Sequence, residues 1–163
     1  MIIRAALESD IDALLDIHNA AILETTAIWT DEPALRSDRE AWFSAQAAAG
    51  HPILIADIDG IVAGYASYAP WRAKFGYRYS VENSVYVASG YQGQGIGRAL
   101  MVALIDHARA AGMHLMVADI EAGNVGSVRL HETLGFEQTG LVTEVGTKFG
   151  RWLDLAIMQL KLS

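Results

Sequence analysis

The chain has 163 residues, 52% of them hydrophobic and 19% charged, which is enough to bury a core and too apolar for a disordered segment. Lys plus Arg number 12 against 19 Asp plus Glu, and the resulting charge of −7 lacks the electrostatic footprint of a general nucleic-acid binder. The absence of cysteine excludes a disulfide framework, a thiolate nucleophile and a cysteine-based metal site.

Glu8 and Asp10 fall where a signal peptide would carry its apolar run, and no stretch approaches the ~18 apolar residues of a membrane span. A cytoplasmic protein without a membrane partner is the expectation. No repeat or linker divides the chain, so residues 1–163 read as one domain. Ile2 to Ala6 reads as a strand. Ser9 with Asp12 resembles a capping box and opens a helix reaching about residue 26, with Ile11, Leu14, Leu15, Ile17 and Ala21 largely on one stripe. Ser37 with Glu40 forms a cleaner box and predicts a second helix ending near Gly50.

Two apolar runs, Ile53 to Ala56 and Ile61 to Tyr68, flank Asp59-Gly60 and predict a hairpin. Residues 70–80 are a loop rich in aromatic and cationic side chains. Val81 to Val87 is a strand, and a helix follows over about 95–111, closed by Gly112. Leu115 to Ile120 predicts a strand, Asn124 to Leu134 a helix ended by Gly135, and 136–145 and 152–160 two last strands. The order β-α-α-β-β-β-α-β-α-β-β makes a mixed α/β layer around one sheet.

Three alternating glycines, Gly93, Gly95 and Gly97, stand between a strand and a helix. Glycine lets the backbone approach an anion, and the first-turn N–H groups with the positive end of the helix dipole form a phosphate site. Arg98 adds a positive charge there. A P-loop requires Gly-Lys-Ser/Thr, which Arg98-Ala99 fails, and a dinucleotide fingerprint requires a third glycine one residue later.

Gln92, Gly95 and Gly97 satisfy a Q-x-x-G-x-G pattern instead. Asn124, Ser127, Leu130, His131, Gly135 and Phe136 satisfy N-x-x-[AS]-x-x-L-[YH]-x-x-x-G-F. Both motifs resemble signatures of the GNAT superfamily of acyl-CoA-dependent N-acyltransferases, whose element order is also the one read above. The resemblance covers essentially the whole chain. It implies a single mixed, mostly antiparallel sheet flanked by helices and acetyl-CoA as donor; no metal-ligand cluster is apparent in the sequence, and the transfer requires none. The resemblance assigns Val85, Tyr86 and Val87 to the pantetheine arm, with a backbone N–H near Val87 for the oxyanion. Gln92, Gly93, Gln94, Gly95, Ile96, Gly97, Arg98, Asn124, Ser127 and Thr133 complete the expected coenzyme site.

Acetyl transfer to an amine needs a base, an oxyanion donor and a proton for the leaving thiolate. Glu82 lies on the strand entering the glycine loop, where apolar neighbours would raise its pKa toward that of a working base. In a regular strand it shares a face with Ser84 and Tyr86, opposite Val81, Val85 and Val87. His131 stands where many superfamily members carry a tyrosine acting as general acid; as a histidine it suits either that role or a structural one.

The loop from Pro70 to Tyr79 brings three cations and four aromatics directly before Glu82, which suggests an anionic or strongly polar acceptor. Within the superfamily the chain is most similar to the phosphinothricin and methionine sulfone or sulfoximine N-acetyltransferases. The segments Thr25 to Trp29, Gly64 to Tyr68, Trp71-Arg72, Val81 to Val87 and Lys148 to Asp154 carry that likeness. It implies Glu82 as base, Arg72 on an acceptor oxygen, and Trp29, Ala73, Lys74, Asn83 and Ser84 around the acceptor. Asn83 and Lys74 depart from that branch's pattern. It also implies a homodimer. Acetylation of a protein N-terminus or another amine, and a non-catalytic acetyl-CoA sensor, are the alternatives.

Overall fold

A computed structural model describes all residues, 1–163. Its strands are β1 (Ile2–Ala5), β2 (Ile53–Ile58), β3 (Ile61–Pro70), β4 (Ser80–Val87), β5 (Leu115–Glu121), β6 (Glu137–Lys148) and β7 (Arg151–Lys161). Its helices are α1 (Ile11–Glu24), α2 (Arg36–Ala49), α3 (Ile96–Ala110) and α4 (Val125–Thr133), and short 3₁₀ turns cover Glu8–Asp10 and Phe75–Tyr77. The element order is the one read from the sequence. The strands form one sheet in the order β1-β2-β3-β4-β5-β7-β6. Only β4 and β5 run parallel, as the intervening α3 crossover requires.

The two faces of the sheet carry separate cores. On one face, Leu14 and Ile17 of α1 pack against Ile53, Ile55 and Tyr65. On the other, Ile96, Leu100, Met101, Leu104 and Ala108 of α3 pack over Ala66, Val81, Met116 and Ala118. The near-four spacing along α3 buries Leu100 and Leu104 completely, and each such side chain contributes about 1.5–3 kcal/mol. The α4 residues Val128, Leu130 and Leu134 pack against this same core.

Both predicted capping boxes are displaced. The carboxylate of Asp38, not the Ser37 and Glu40 pair, receives the N–H of Leu35 at 2.7 Å, and α2 starts at Arg36. Glu40 pairs one turn back with Arg36 at 2.8 Å instead. Before α1, Asp10 rather than Ser9 does the capping: it accepts from the N–H of Leu7 at 2.7 Å and pairs with Arg4 at 2.8 Å. In both cases a carboxylate close to the turn outcompetes a serine one residue away. The Asp59-Gly60 hairpin forms as expected between β2 and β3.

Candidate active site

β4 is the hinge of the site. Its ladder with β3 runs without a register shift from Val81 to Val87, so side chains alternate regularly. Tyr86 packs on the α1 face of the sheet, while Val81, Val85 and Val87 pack on the α3 face. Glu82 and Ser84 therefore join Tyr86 on the α1 face, and Asn83 points to the other. The parallel pairing with β5 ends at Glu82 opposite Val117. There the Asn83 amide donates to the Val117 carbonyl at 3.1 Å, so a side chain holds the two strands where they begin to part.

Beyond that point a cavity of about 1110 Å³ opens between β4 and β5. It runs from the glycine loop, past Val85 to Val87, to Glu82 and the segment Thr25 to Ala27. At its glycine end, Gly95 caps α3 with φ +79°, a left-handed conformation that side chains resist. No side chain caps α3. Its first N–H groups thus remain open to the cavity, and Arg98 lines the same wall. Asn124 caps α4 by accepting from the Ser127 N–H at 3.1 Å.

Glu82 is half-buried at the opposite end. Burial, reinforced by the neighbouring Asp119 carboxylate and opposed by Arg72, pushes its carboxyl up to about 7. Such a group is part ionised near neutrality, as a general base should be. Asp119 lies two residues past Val117 on the same face of β5. Burial raises its pKa too, against Arg72 and the indole N–H of Trp71. Its Oδ1 and Trp71 Nε1 are both buried and turned toward one another, in a contact too loose to count as a fully formed hydrogen bond. The Arg72 guanidinium lies over the Trp71 ring at 4.7 Å.

His131 is 2% exposed on α4. Its Nδ1 donates to the Ser127 carbonyl at 2.8 Å, and its Nε2 faces Asn83 Oδ1 at 3.0 Å. Both ring nitrogens thus face oxygen acceptors, of which a neutral ring with its single N–H satisfies one. Burial lowers its pKa, only partly offset by the Ser127 bond.

The wall formed by the α1–α2 connection is tied down from below. Lys148, 2% exposed, donates to the carbonyls of Ile22, Thr25 and Ile28 at 2.5, 2.6 and 2.6 Å. This is a cation set on the carbonyl end of α1. Thr26 donates to Glu121 at 3.0 Å, and Trp29 Nε1 donates to the Thr26 carbonyl at 2.9 Å. The Trp29 ring lies on Gly146, where an added Cβ would sit 2.2 Å from ring carbon Cε3, so only glycine fits there.

Of the residues singled out from sequence, the cavity gathers Glu82, Asn83, Ser84, Val85, Tyr86, Val87, Gln92, Gly93, Gly95, Gly97, Arg98, Asn124, Ser127 and His131. Ile96 instead points into the core, and Gln94 turns back to donate to the Gly90 carbonyl. Thr133 is exposed and donates to the Leu130 carbonyl. Trp29, Arg72, Ala73 and Lys74 do not line the cavity. Arg72 acts on it through charge, while Ala73 and Lys74 are exposed.

Sequence reasoning missed Asp119, Glu121, Thr25, Thr26, Phe149 and Arg151, all of which line the cavity. The two carboxylates left a readable trace, because Val117, Asp119 and Glu121 alternate along one face of an otherwise apolar strand. Lys148 left none: a lone lysine in a polar hairpin gives no hint of burial.

The family profile described as the acetyltransferase (GNAT) family matches residues 14–136. The chain belongs to the acetyltransferase (GNAT) family. This GNAT chain is 49% identical to the L-methionine sulfoximine/L-methionine sulfone acetyltransferase of Salmonella typhimurium, over 99% of its length and 95% of that protein. It is 34% identical to the phosphinothricin N-acetyltransferase of Alcaligenes faecalis, over 99% of its length and 82% of that relative. A Salmonella typhimurium acetyltransferase solved with its cofactor acetyl-CoA superimposes with a TM-score of 0.98 at 49% identity, covering 100% of this chain and 94% of that one. The parted β4 and β5 and the open end of α3 thus belong to a GNAT-family chain.

Proposed function

We propose that this protein moves the acetyl group of acetyl-CoA to the α-amine of a small amino acid of the L-methionine sulfone or sulfoximine type, with Glu82 as general base. The observation that carries the reading is a half-buried carboxyl poised at about 7 where β4 leaves β5, facing the cavity that begins at the glycine loop.

The residues present fit the coenzyme. The uncapped N–H groups of α3 and the Arg98 guanidinium suit a pyrophosphate, and no atom lies within 4 Å of where Cβ atoms on Gly93 and Gly95 would sit. Ala88 donates its backbone N–H to Ala63, so alternation aims the N–H groups of Val85 and Val87 at the gap. These donors suit the pantetheine arm and the developing oxyanion. The thioester supplies an activated acyl carbon. Glu82 removes the proton from the acceptor's ammonium group, and Arg72 draws the acceptor's carboxylate toward the mouth of the cavity. His131, against Asn83, holds the parting point of β4 and β5. An acid role toward the thiolate requires the Asn83 amide to turn away from it.

We further infer that residues 1–163 act as one unit, that the reaction is cytoplasmic, and that neither nucleic acid nor membrane takes part. No helix is long and apolar enough to cross a membrane, and the chain is net acidic. A homodimer is supported by the exposed apolar residues of the β6–β7 hairpin, among them Leu141, Val142, Val145, Phe149 and Trp152.

A thiol-release assay with acetyl-CoA over amino acids, sulfones, sulfoximines and phosphinothricin tests the reading. The expected result is fastest turnover of methionine sulfone or sulfoximine. Turnover of none of them, with acetyl-CoA still bound, overturns the proposal in favour of a coenzyme sensor.

A further inference from the structure

We propose that Asp119 is a second acidic group of the acceptor site: with Glu82 it seats the acceptor's α-ammonium, and its charge selects acceptors with an uncharged side-chain head over anionic ones. A sulfone or sulfoximine is such an uncharged head, and a phosphinate an anionic one. The inference rests on the acceptor reading given above.

Register places the two carboxylates together. Glu82 pairs with Val117 at the last parallel rung, and Asp119 is the next β5 residue on that face, beyond the point where the strands part. Its Oδ1 is buried against the Trp71 indole N–H, while the side chain as a whole is only part-buried and lines the cavity. The following carboxylate on the face, Glu121, is already engaged by Thr26 at 3.0 Å and the Gly123 N–H at 2.8 Å. Asp119 is therefore the acid beside Glu82 whose second oxygen, Oδ2, is left to the cavity. An ammonium group brings the N–H donors that this oxygen and Glu82 lack.

The charge around Glu82 comes from several elements. Glu24 from α1 and Asp119 and Glu121 from β5 line the cavity with it, against Arg151 from β7, the nearby Arg72 guanidinium and, at the glycine end, Arg98 from α3. Four carboxylates thus face three guanidiniums, of which Arg98 belongs to the glycine end. Arg78 does not line the cavity and, unlike Arg72, does not act on Glu82. A zwitterionic amino acid matches this arrangement, with its ammonium on the carboxylates and its carboxylate on Arg72. A second negative charge on the side chain would meet an acidic wall, and repulsion of that kind sets specificity.

The test uses the full-length protein and its Asp119→Asn and Asp119→Ser variants, with acetyl-CoA and either L-methionine sulfone or phosphinothricin. Thermal melting and acetyl-CoA affinity establish that each variant is folded. Asp119→Asn is expected to raise KM for methionine sulfone about tenfold and to narrow the sulfone-to-phosphinothricin preference by a similar factor. Removing the charge beside Glu82 should also shift the acidic limb of kcat/KM to lower pH. A purely structural aspartate would change the melting temperature and leave the KM ratio and the pH limb unmoved, and that result overturns the proposal. Wild-type protein that turns over neither acceptor overturns the acceptor reading and this inference together. Wild-type turnover with unchanged variants overturns the Asp119 assignment alone.

Discussion

On the function proposed above, the glycine loop at the head of α3 is the donor end of the cavity and the surroundings of Glu82 its acceptor end, and the two are held by opposite means. The donor end is local: strand, glycines and helix follow one another within about twenty residues, and backbone N–H groups supply the chemistry. The acceptor end is assembled from afar. Lys148 reaches back more than a hundred residues to the end of α1, Trp29 lies on Gly146, and Glu82 meets Asp119 across a strand boundary. A backbone cradle tolerates change in most side chains around it, whereas a wall built from distant side chains can be retuned by single substitutions.

That contrast predicts effects that separate cleanly by end. The largest is expected at Glu82. Glu82→Gln should lower kcat by roughly 10²–10⁴ while leaving acetyl-CoA affinity unchanged. In the wild type, kcat/KM should rise with pH through about 7 as Glu82 loses its proton. A flat profile, or loss of coenzyme binding in the variant, would mean that the two ends are not independent.

Next comes Gly95→Val, which acts on the donor end alone. At φ +79° a β-branched residue is strained although no atom lies within 4 Å of the new Cβ. The expected outcome is acetyl-CoA binding weakened roughly 10–100-fold, in line with about 1–3 kcal/mol of backbone strain. Calorimetric titration with the coenzyme measures it. Normal affinity would move the coenzyme site elsewhere.

Lys148→Met should give a smaller, acceptor-side effect. It strips the donor from three carbonyls around the end of α1, destabilising the fold by about 1–3 kcal/mol. Loosening Thr25 to Trp29 should reduce kcat/KM for the acceptor about tenfold through lost positioning, with acetyl-CoA affinity preserved. A change confined to coenzyme affinity would contradict the division of the cavity.

How much of this was legible beforehand follows the same division. The donor end is readable because a strand, a glycine run and a helix each leave a contiguous signature; that Asn124 also caps α4 is a finding of the structure. The element order and the parity of β4 were readable for the same reason. Thr133 falls outside the cavity and the Ile96 side chain enters the core, because a motif gives spacing while helix phase decides which side chain faces the cavity; the Ile96 backbone N–H still belongs to the open first turn of α3. The cationic loop suggested an anionic acceptor, yet Lys74 is exposed and Arg78 is occupied by aromatic rings. The carboxylates that offset Arg72 lie on strands far apart in sequence. No local pattern announces that Lys148 is buried or that Asp119 faces Glu82.

The smallest expected effect concerns stability, and its sign follows from Glu82 itself. Its folded pKa, about 7, lies above its ordinary value of 4.5. Between those limits the native state holds more protons than the unfolded chain, so this group's contribution falls as pH rises through the window. Below about 4.5 both states are protonated and burial costs nothing; above about 7 the cost of a buried charge is fully felt. Glu82→Gln removes that titration. The variant should match the wild type in urea unfolding at pH 4 and exceed it at pH 8, by about 1–2 kcal/mol once solvent screening of a half-buried carboxylate is allowed for. Asp10, whose pair with Arg4 lowers its pKa, should show the opposite trend, losing its contribution as acid is added. Equal stability of Glu82→Gln and wild type at both pH values would mean that the carboxyl is better solvated than its place beside Asp119 implies, and would weaken the case for a tuned base more directly than any rate.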